Sequence, residues 1–220
     1  MPGRIPRPKS GWGALLELVA IVALAIGLAL LIQAYVVKPY QIPSPSMVPT
    51  LDVGQRVLVN RFIYNIHDPG IGDIVVFHPP VGATGQGPEC GDQTKTSNEA
   101  CPKPDAKESD QNFIKRIVAG PGDKLKIVDG HPIVRSQVSA KDWRNNVPPK
   151  ESYIDPCRPS TRQVPCNLRK PITIPSDDYF MMGDNRGKSD DSRLWGPVPK
   201  DWIVGEAFMT YWPPDRIGFL

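Results

Sequence analysis

Three segments of this chain carry residue types from which a covalent catalyst could be assembled. The first is Gln41-Ile42-Pro43-Ser44-Pro45-Ser46-Met47-Val48-Pro49-Thr50-Leu51. Its prolines fix φ and withdraw N–H donors, so the segment cannot be a central strand. A rigid turn presenting Ser46 suits a nucleophile, which must be held near attack geometry; a proline-rich stalk is the plainer reading. The second is Asn112-Phe113-Ile114-Lys115-Arg116-Ile117-Val118-Ala119-Gly120-Pro121-Gly122-Asp123. With period two, Phe113, Lys115 and Ile117 share one face of a strand. A lysine between large apolar neighbours loses water, and desolvation lowers its pKa toward that of a general base. A lysine snorkelling to solvent from a strand is the alternative. The third, Met182 to Gly196, is dense in Gly, Asp, Asn, Arg and Ser. Such a loop builds a buried polar network, or else is a solvated turn or calcium loop; its acids do not follow EF-hand spacing.

Other nucleophilic arrangements fit less well. The chain has three histidines: His67 precedes Asp68-Pro69, His78 precedes Pro79-Pro80 and His131 precedes Pro132, all in loop or strand-edge sequence. That is poor placement for a Ser-His-Asp triad. No serine is followed by lysine three positions on, which excludes the S-x-x-K pattern.

The elements that must position these residues are mostly strands. Arg56–Phe62, Ile74–Phe77, Phe113–Val118, Leu125–Val128, Ile133–Arg135, Ile172–Ile174, Tyr179–Met182 and Ile203–Trp212 are short, rich in β-branched and aromatic residues, and bounded by Gly, Pro and Asp. Asp129-Gly130 marks a hairpin. No helix-period stretch follows Val37. The 26 prolines and 19 glycines agree with a loop-rich β body. Residues 81–111 form a long polar insertion, and residues 136–170, with Pro148, Pro149, Pro156 and Pro159, are irregular.

Ahead of this body, Ala14–Val37 is apolar apart from Glu17 and Gln33, and Arg4, Arg7 and Lys9 precede it. A run of this length spans a bilayer. Its exit, Tyr35-Val36-Val37-Lys38, lacks the small-x-small pattern of a cleaved leader, so the reading is a retained single-pass helix. The positive-inside rule places residues 1–13 in the cytoplasm and the body outside. Cys90 with Cys101 and Cys157 with Cys166 lie in proline- and charge-rich stretches without C-x-x-C spacing. Two local disulfides in an oxidising space are the reading; four free thiols are the alternative. The net charge is +3, and removing the N-terminal basic residues leaves the body near neutral, which gives no support to nucleic-acid binding.

Taken in this order behind a membrane anchor, the segments closely resemble the bacterial type I signal peptidases, the Ser–Lys dyad leader peptidases. The match comprises Ile-Pro-Ser-x-Ser-Met-x-Pro-Thr-Leu at 42–51, Gly72-Asp73-Ile74-Val75-Val76-Phe77, Lys115-Arg116 followed by Gly120-Pro121-Gly122-Asp123, Gly183-Asp184-Asn185-Arg186 through Ser189-x-Asp191-Ser192-Arg193, and Gly205. The resemblance implies a nucleophile at Ser46 and a general base at Lys115. It implies that Ser189 orients the lysine amine and that Asp191 and Arg193 form a supporting salt bridge. Ser44 Oγ and the Ser46 N–H would form the oxyanion hole. Tyr40, Ile42, Pro43, Met47, Leu51, Phe113 and Ile114 match positions lining pockets for small residues. Pro45 stands where the family varies and is often glycine.

The resemblance also implies a mainly β fold: a catalytic core at 38–123 and 175–220, with a smaller β lobe inserted at 124–174. The activity implied is serine endopeptidase removal of signal peptides at small-x-small sites, with no cofactor and no metal. Exported preproteins and the lipid bilayer would be its partners, near the secretion translocon. A self-cleaving repressor would carry a DNA-binding domain in place of the membrane span. A non-enzymatic surface-binding protein would leave Ser46, Lys115 and Ser189 without a reason.

Overall fold

The structure, a computed structural model, describes residues 11–135, 157 and 164–220. Arg4, Arg7 and Lys9 lie outside the described residues, as does the segment holding Pro148, Pro149, Pro156 and Pro159.

The first element, α1, spans Gly11–Tyr35. Apolar side chains from Trp12 to Leu30 stand exposed on it, which suits lipid and not water. The helix ends before the expected limit at Val37. Val37 instead opens β1 (Val37–Gln41), which lies antiparallel to β2 (Arg56–Asn60) with Val37 opposite Asn60. The Arg61 N–H donates to the Val36 carbonyl at 2.8 Å and fixes the corner. Pairing to β2 overrides the apolar run, so the helix is corrected to Gly11–Tyr35.

The body is mostly β, as expected. Its main sheet is built from β1, β2, β3 (Ile74–Phe77), β4 (Phe113–Ala119), β8 (Asp178–Met182), β9 (Val198–Pro199), β10 (Ile203–Trp212) and β11 (Gly218–Phe219). The order is β1-β2-β10-β3-β4-β8-β9, with β11 on β10. A second sheet, order β6-β5-β7, holds β5 (Lys124–Val128), β6 (His131–Arg135) and β7 (Leu168–Thr173). Asp129 and Gly130 both take positive φ, 51° and 79°, as a two-residue hairpin turn demands. One short helix, α2 (Ser192–Trp195), interrupts the loop after β8.

Alternation along the strands sorts the core. Ile74, Val76 and Ile114 pack with Ile42, Met47, Leu51, Val57 and Val59. Val75, Phe77 and Ile117 pack with Met181 and Trp195, and Phe113 lies against them. A third cluster joins Leu125, Ile127, Val134, Leu168 and Ile172 to Val118, Phe180 and Met182 of the main sheet. The small sheet therefore shares a core with β4 and β8.

The polar insertion at 81–111 is tied down rather than loose. The Ser109 N–H donates to the Pro79 carbonyl at 2.8 Å, closing its base. Cys90 is bonded to Cys101, and Cys157 to Cys166. The Lys170 N–H on β7 donates to the Asn98 carbonyl at 2.9 Å, and Lys170 Nζ pairs with Glu99 at 2.8 Å. Bonding to Lys170, with backbone donation from Thr96, holds the Glu99 carboxyl down at about 2. The insertion thus spans from the base of β3 to the small sheet.

Candidate active site

Ser46 lies in a single 3₁₀ turn, Pro45–Met47. Prolines on both sides make the turn stiff, and side chains anchor it. Met47 and Leu51 are fully buried, each contributing about 2 kcal/mol by burial. Leu51 N–H donates to the Met47 carbonyl at 2.9 Å.

The third segment holds the turn from its other side. Asn185 N–H donates to the Ser46 carbonyl at 3.0 Å, and Asn185 Nδ2 donates to the Pro45 carbonyl at 3.2 Å. Gly183 passes so close to Ser189 Oγ and the Ser46 carbonyl that a Cβ would collide with both. Asp184, fully buried, accepts from Thr50 Oγ1 at 2.5 Å. It also takes a bidentate pair from Arg116, Nε at 2.9 Å and Nη2 at 2.8 Å. Such fork-to-carboxylate pairs fix orientation as well as distance.

Lys115 is placed by backbone pairing. It sits opposite Val75 in the β3–β4 ladder and is 4% exposed. Its Nζ lies 2.7 Å from Ser46 Oγ and 5.7 Å from the centre of the Phe113 ring. Burial pulls its pKa down to about 8; Asp191, Asp190 and Asp184 oppose the fall, and Arg193 reinforces it. A neutral amine at hydrogen-bond distance from a hydroxyl can accept that hydroxyl's proton. Ser44 Oγ donates to Ser46 Oγ at 3.3 Å, on the same side of the turn.

Behind the lysine, Asp191 and Arg193 form a fully buried pair at 2.8 Å. The Arg193 guanidinium lowers the Asp191 pKa against the opposing effect of burial. Asp191 also accepts from the Gly183 N–H at 3.1 Å. Ser189 does not make the expected bond to the lysine amine. Its Oγ is buried against Gly183 but has no hydrogen-bond partner among the described residues, Lys115 included.

The seven expected pocket residues divide. Ile42, Met47, Leu51 and Ile114 are packed into one core cluster as a floor, with Tyr40 against it. Pro43 is exposed, and Phe113 belongs to the opposite face of the sheet. Two of the histidines bond away from this centre: His67 Nδ1 meets the Asp68 carbonyl and His78 faces Glu108. Reading residue types alone missed Thr50, Arg116, Asp184 and Asn185 as supports. All four sit inside the quoted motif blocks, which was the signal available.

A protein-family model described as signal peptidase, peptidase S26, matches residues 15–212. A probable signal peptidase I-1 of Synechocystis is 35% identical over 98% of this chain and 90% of its own length. A signal peptidase I of Leptolyngbya laminosa is 33% identical over 97% and 87%. A signal peptidase I of Pseudomonas aeruginosa is 32% identical over 88% and 72%.

Proposed function

This chain belongs to the signal peptidase family, peptidase S26, and on that premise we propose that it cleaves exported preproteins with a Ser46–Lys115 dyad. As a family member it is a serine endopeptidase acting on signal peptides. The observation that carries the finer reading is the 2.7 Å approach of a buried, pKa-lowered Lys115 to Ser46.

The neutral Lys115 Nζ takes the proton of Ser46 Oγ as Oγ attacks the carbonyl carbon before the cut. The new oxyanion accepts from the Ser46 N–H and from Ser44 Oγ, donors aimed where charge develops. The C–N bond then breaks, and the Lys115 ammonium returns the proton to the departing amine. Water, deprotonated by Lys115, hydrolyses the remaining ester. Asp184, Asn185 and Thr50 hold the turn, and Asp191 and Arg193 hold the loop behind it. Ser189 would orient the amine once a substrate closes the site.

The substrate would lie as an extended strand beside residues 40–44 and 112–115, with small residues first and third before the cut. Tyr40 and Pro43 would offer surface to it, over the floor of Ile42, Met47, Leu51 and Ile114, with Phe113 on the other face of the sheet beside Lys115. The catalytic core is taken as 38–123 and 175–220, the inserted lobe as 124–174. Residues 1–13 would lie in the cytoplasm, α1 from Ala14 onward in the cell membrane and the body outside. From Val37 to Ser46 the chain reaches at most about 30 Å, which keeps the dyad near the bilayer surface, beside the translocon.

The test is cleavage of a peptide carrying an Ala-x-Ala site by purified protein. Parent enzyme should cut after the second alanine, and Ser46→Ala and Lys115→Met should not. Equal cleavage of a peptide with Phe in place of either alanine would sink the pocket assignment.

A further inference from the structure

Both disulfide-closed segments converge on one buried residue, Arg193. On one side, the Cys101 N–H donates to the Arg193 carbonyl at 3.2 Å. Cys101 also packs so close to Gly196 that a Cβ there would meet its Sγ at 3.1 Å. On the other side, Arg193 Nη1 donates to the Pro165 carbonyl at 3.3 Å and reaches Cys157 Sγ at 3.8 Å. Cys157 in turn fills the space beside Gly130 that a Cβ would need. The same guanidinium grips Asp191 through Nε and Nη2, at 2.8 and 2.9 Å. Nη2 also donates to the carbonyls of Arg186, at 2.8 Å, and Ser189, at 3.2 Å. Arg193 is 1% exposed, and its bonds to Asp191, Arg186 and Ser189 are made away from water. The loop it organises is the one whose Gly183 and Asn185 abut the Ser46 carbonyl.

We propose that the two disulfides, Cys90–Cys101 and Cys157–Cys166, are positioning elements of the catalytic centre, acting through Arg193 on the loop behind Lys115. This rests on the dyad reading above. A buried guanidinium stays in place only while its N–H groups are satisfied. Opening the Cys157–Cys166 loop releases Pro165 and Cys157, and opening Cys90–Cys101 releases the contact on the Arg193 carbonyl.

Lys115 is faced by Asp184, Asp190 and Asp191, which favour its ammonium form, and by Arg193, which disfavours it. Displacing Arg193 and admitting water both favour the ammonium, so the two effects add. A reduced enzyme should therefore need a higher pH to work.

The experiment uses the full chain in detergent and an Ala-x-Ala peptide. The forms compared are oxidised enzyme, natively reduced enzyme with thiols counted, Cys157→Ala/Cys166→Ala and Cys90→Ala/Cys101→Ala. The readouts are the pH dependence of kcat/KM and the melting temperature. Reduction and the 157/166 pair should displace the profile toward alkaline pH by about one unit, roughly a tenfold loss at pH 7. The 90/101 pair, which touches only the Arg193 main chain, should displace it less. A merely structural role would lower the melting temperature and leave the profile where it was; that outcome in folded reduced enzyme overturns the proposal. If reduced and double-substituted forms do not fold, Arg193→Lys in oxidised enzyme decides, with a displaced profile in favour and an unmoved one against. A Ser46→Ala variant that still cleaves would bring down the dyad reading instead, so the two failures are distinguishable.

Discussion

The two halves of the proposed dyad are positioned by opposite means. Lys115 stands in the middle of a paired strand, where the ladder with β3 fixes its Cα and alternation fixes its direction. Ser46 stands in a turn with no ladder at all. Its place depends on buried side chains, Met47 and Leu51, and on bonds from a loop some 140 residues further on, through Asn185 and Asp184. The lysine's problem is electrostatic, since a charge must be kept off a buried amine. The serine's problem is geometric. Changes around the lysine should move pH dependence, and changes around the serine should move turnover at every pH.

The largest effects come from removing either group. Ser46→Ala and Lys115→Met should each lower kcat by at least about 10³-fold, as expected for residues acting as a unit. Cleavage near parent rates by a folded Lys115→Met enzyme would break the comparison at its root. The next largest is Asp184→Ala, which removes the carboxylate that pairs with the Arg116 guanidinium, 12% exposed. A loss of about 3–5 kcal/mol in chemical denaturation is expected, with kcat falling as Thr50 also loses its acceptor.

Lys115→Met carries a second consequence. Folding a lysine whose pKa falls from 10.5 to about 8 opposes the folded state wherever the unfolded chain is protonated. The cost is full below pH 8, roughly 3 kcal/mol at most, and it disappears as pH rises to 10.5. Lys115→Met should therefore be more stable than the parent at pH 7, with the advantage shrinking between pH 8 and 10.5. For the same reason parent kcat/KM should rise about tenfold per unit up to pH 8 and then level. Urea titrations at several pH values, and a pH–rate profile, check these two. The smallest effect is that of Thr50→Val, which removes one hydrogen bond to a carboxylate, worth about 1.5–3 kcal/mol. It should lower kcat several-fold without moving the pH profile. A displaced profile in Thr50→Val would show that geometry and electrostatics are not separable here.

What the sequence made legible follows the same division. Ile74–Phe77 and Ile203–Trp212 fall on their expected limits because paired, buried strands carry dense β-branched and aromatic patterning. β1 was not legible: Val-Lys-Pro-Tyr-Gln has no alternation, and only β2 makes it a strand. α2 and β9 are too short for any period to show. At the site, Lys115 could be read locally, since it alternates with Phe113 and Ile117 along one strand, and burial lowers its pKa as that pattern suggests. The supports of Ser46 could not, because Thr50 and Asp184 are far apart in the chain and only the fold makes them partners. The bare Ser189 hydroxyl is a case where the resemblance supplied a bond that the structure does not contain.

The edge strand β1 has a consequence for self-association. One end of the main sheet is β9, only two residues long, and the other is β1. An open edge is a template on which a second copy could add its own strand and begin an aggregate. β1 resists this with Pro39, which withdraws a donor, and with exposed Lys38, whose ammonium lies over the Tyr40 ring at 5.4 Å. Two copies approaching edge to edge would bring like charges together across a row already missing a donor. The sheet is thereby guarded against zipping onto its neighbours.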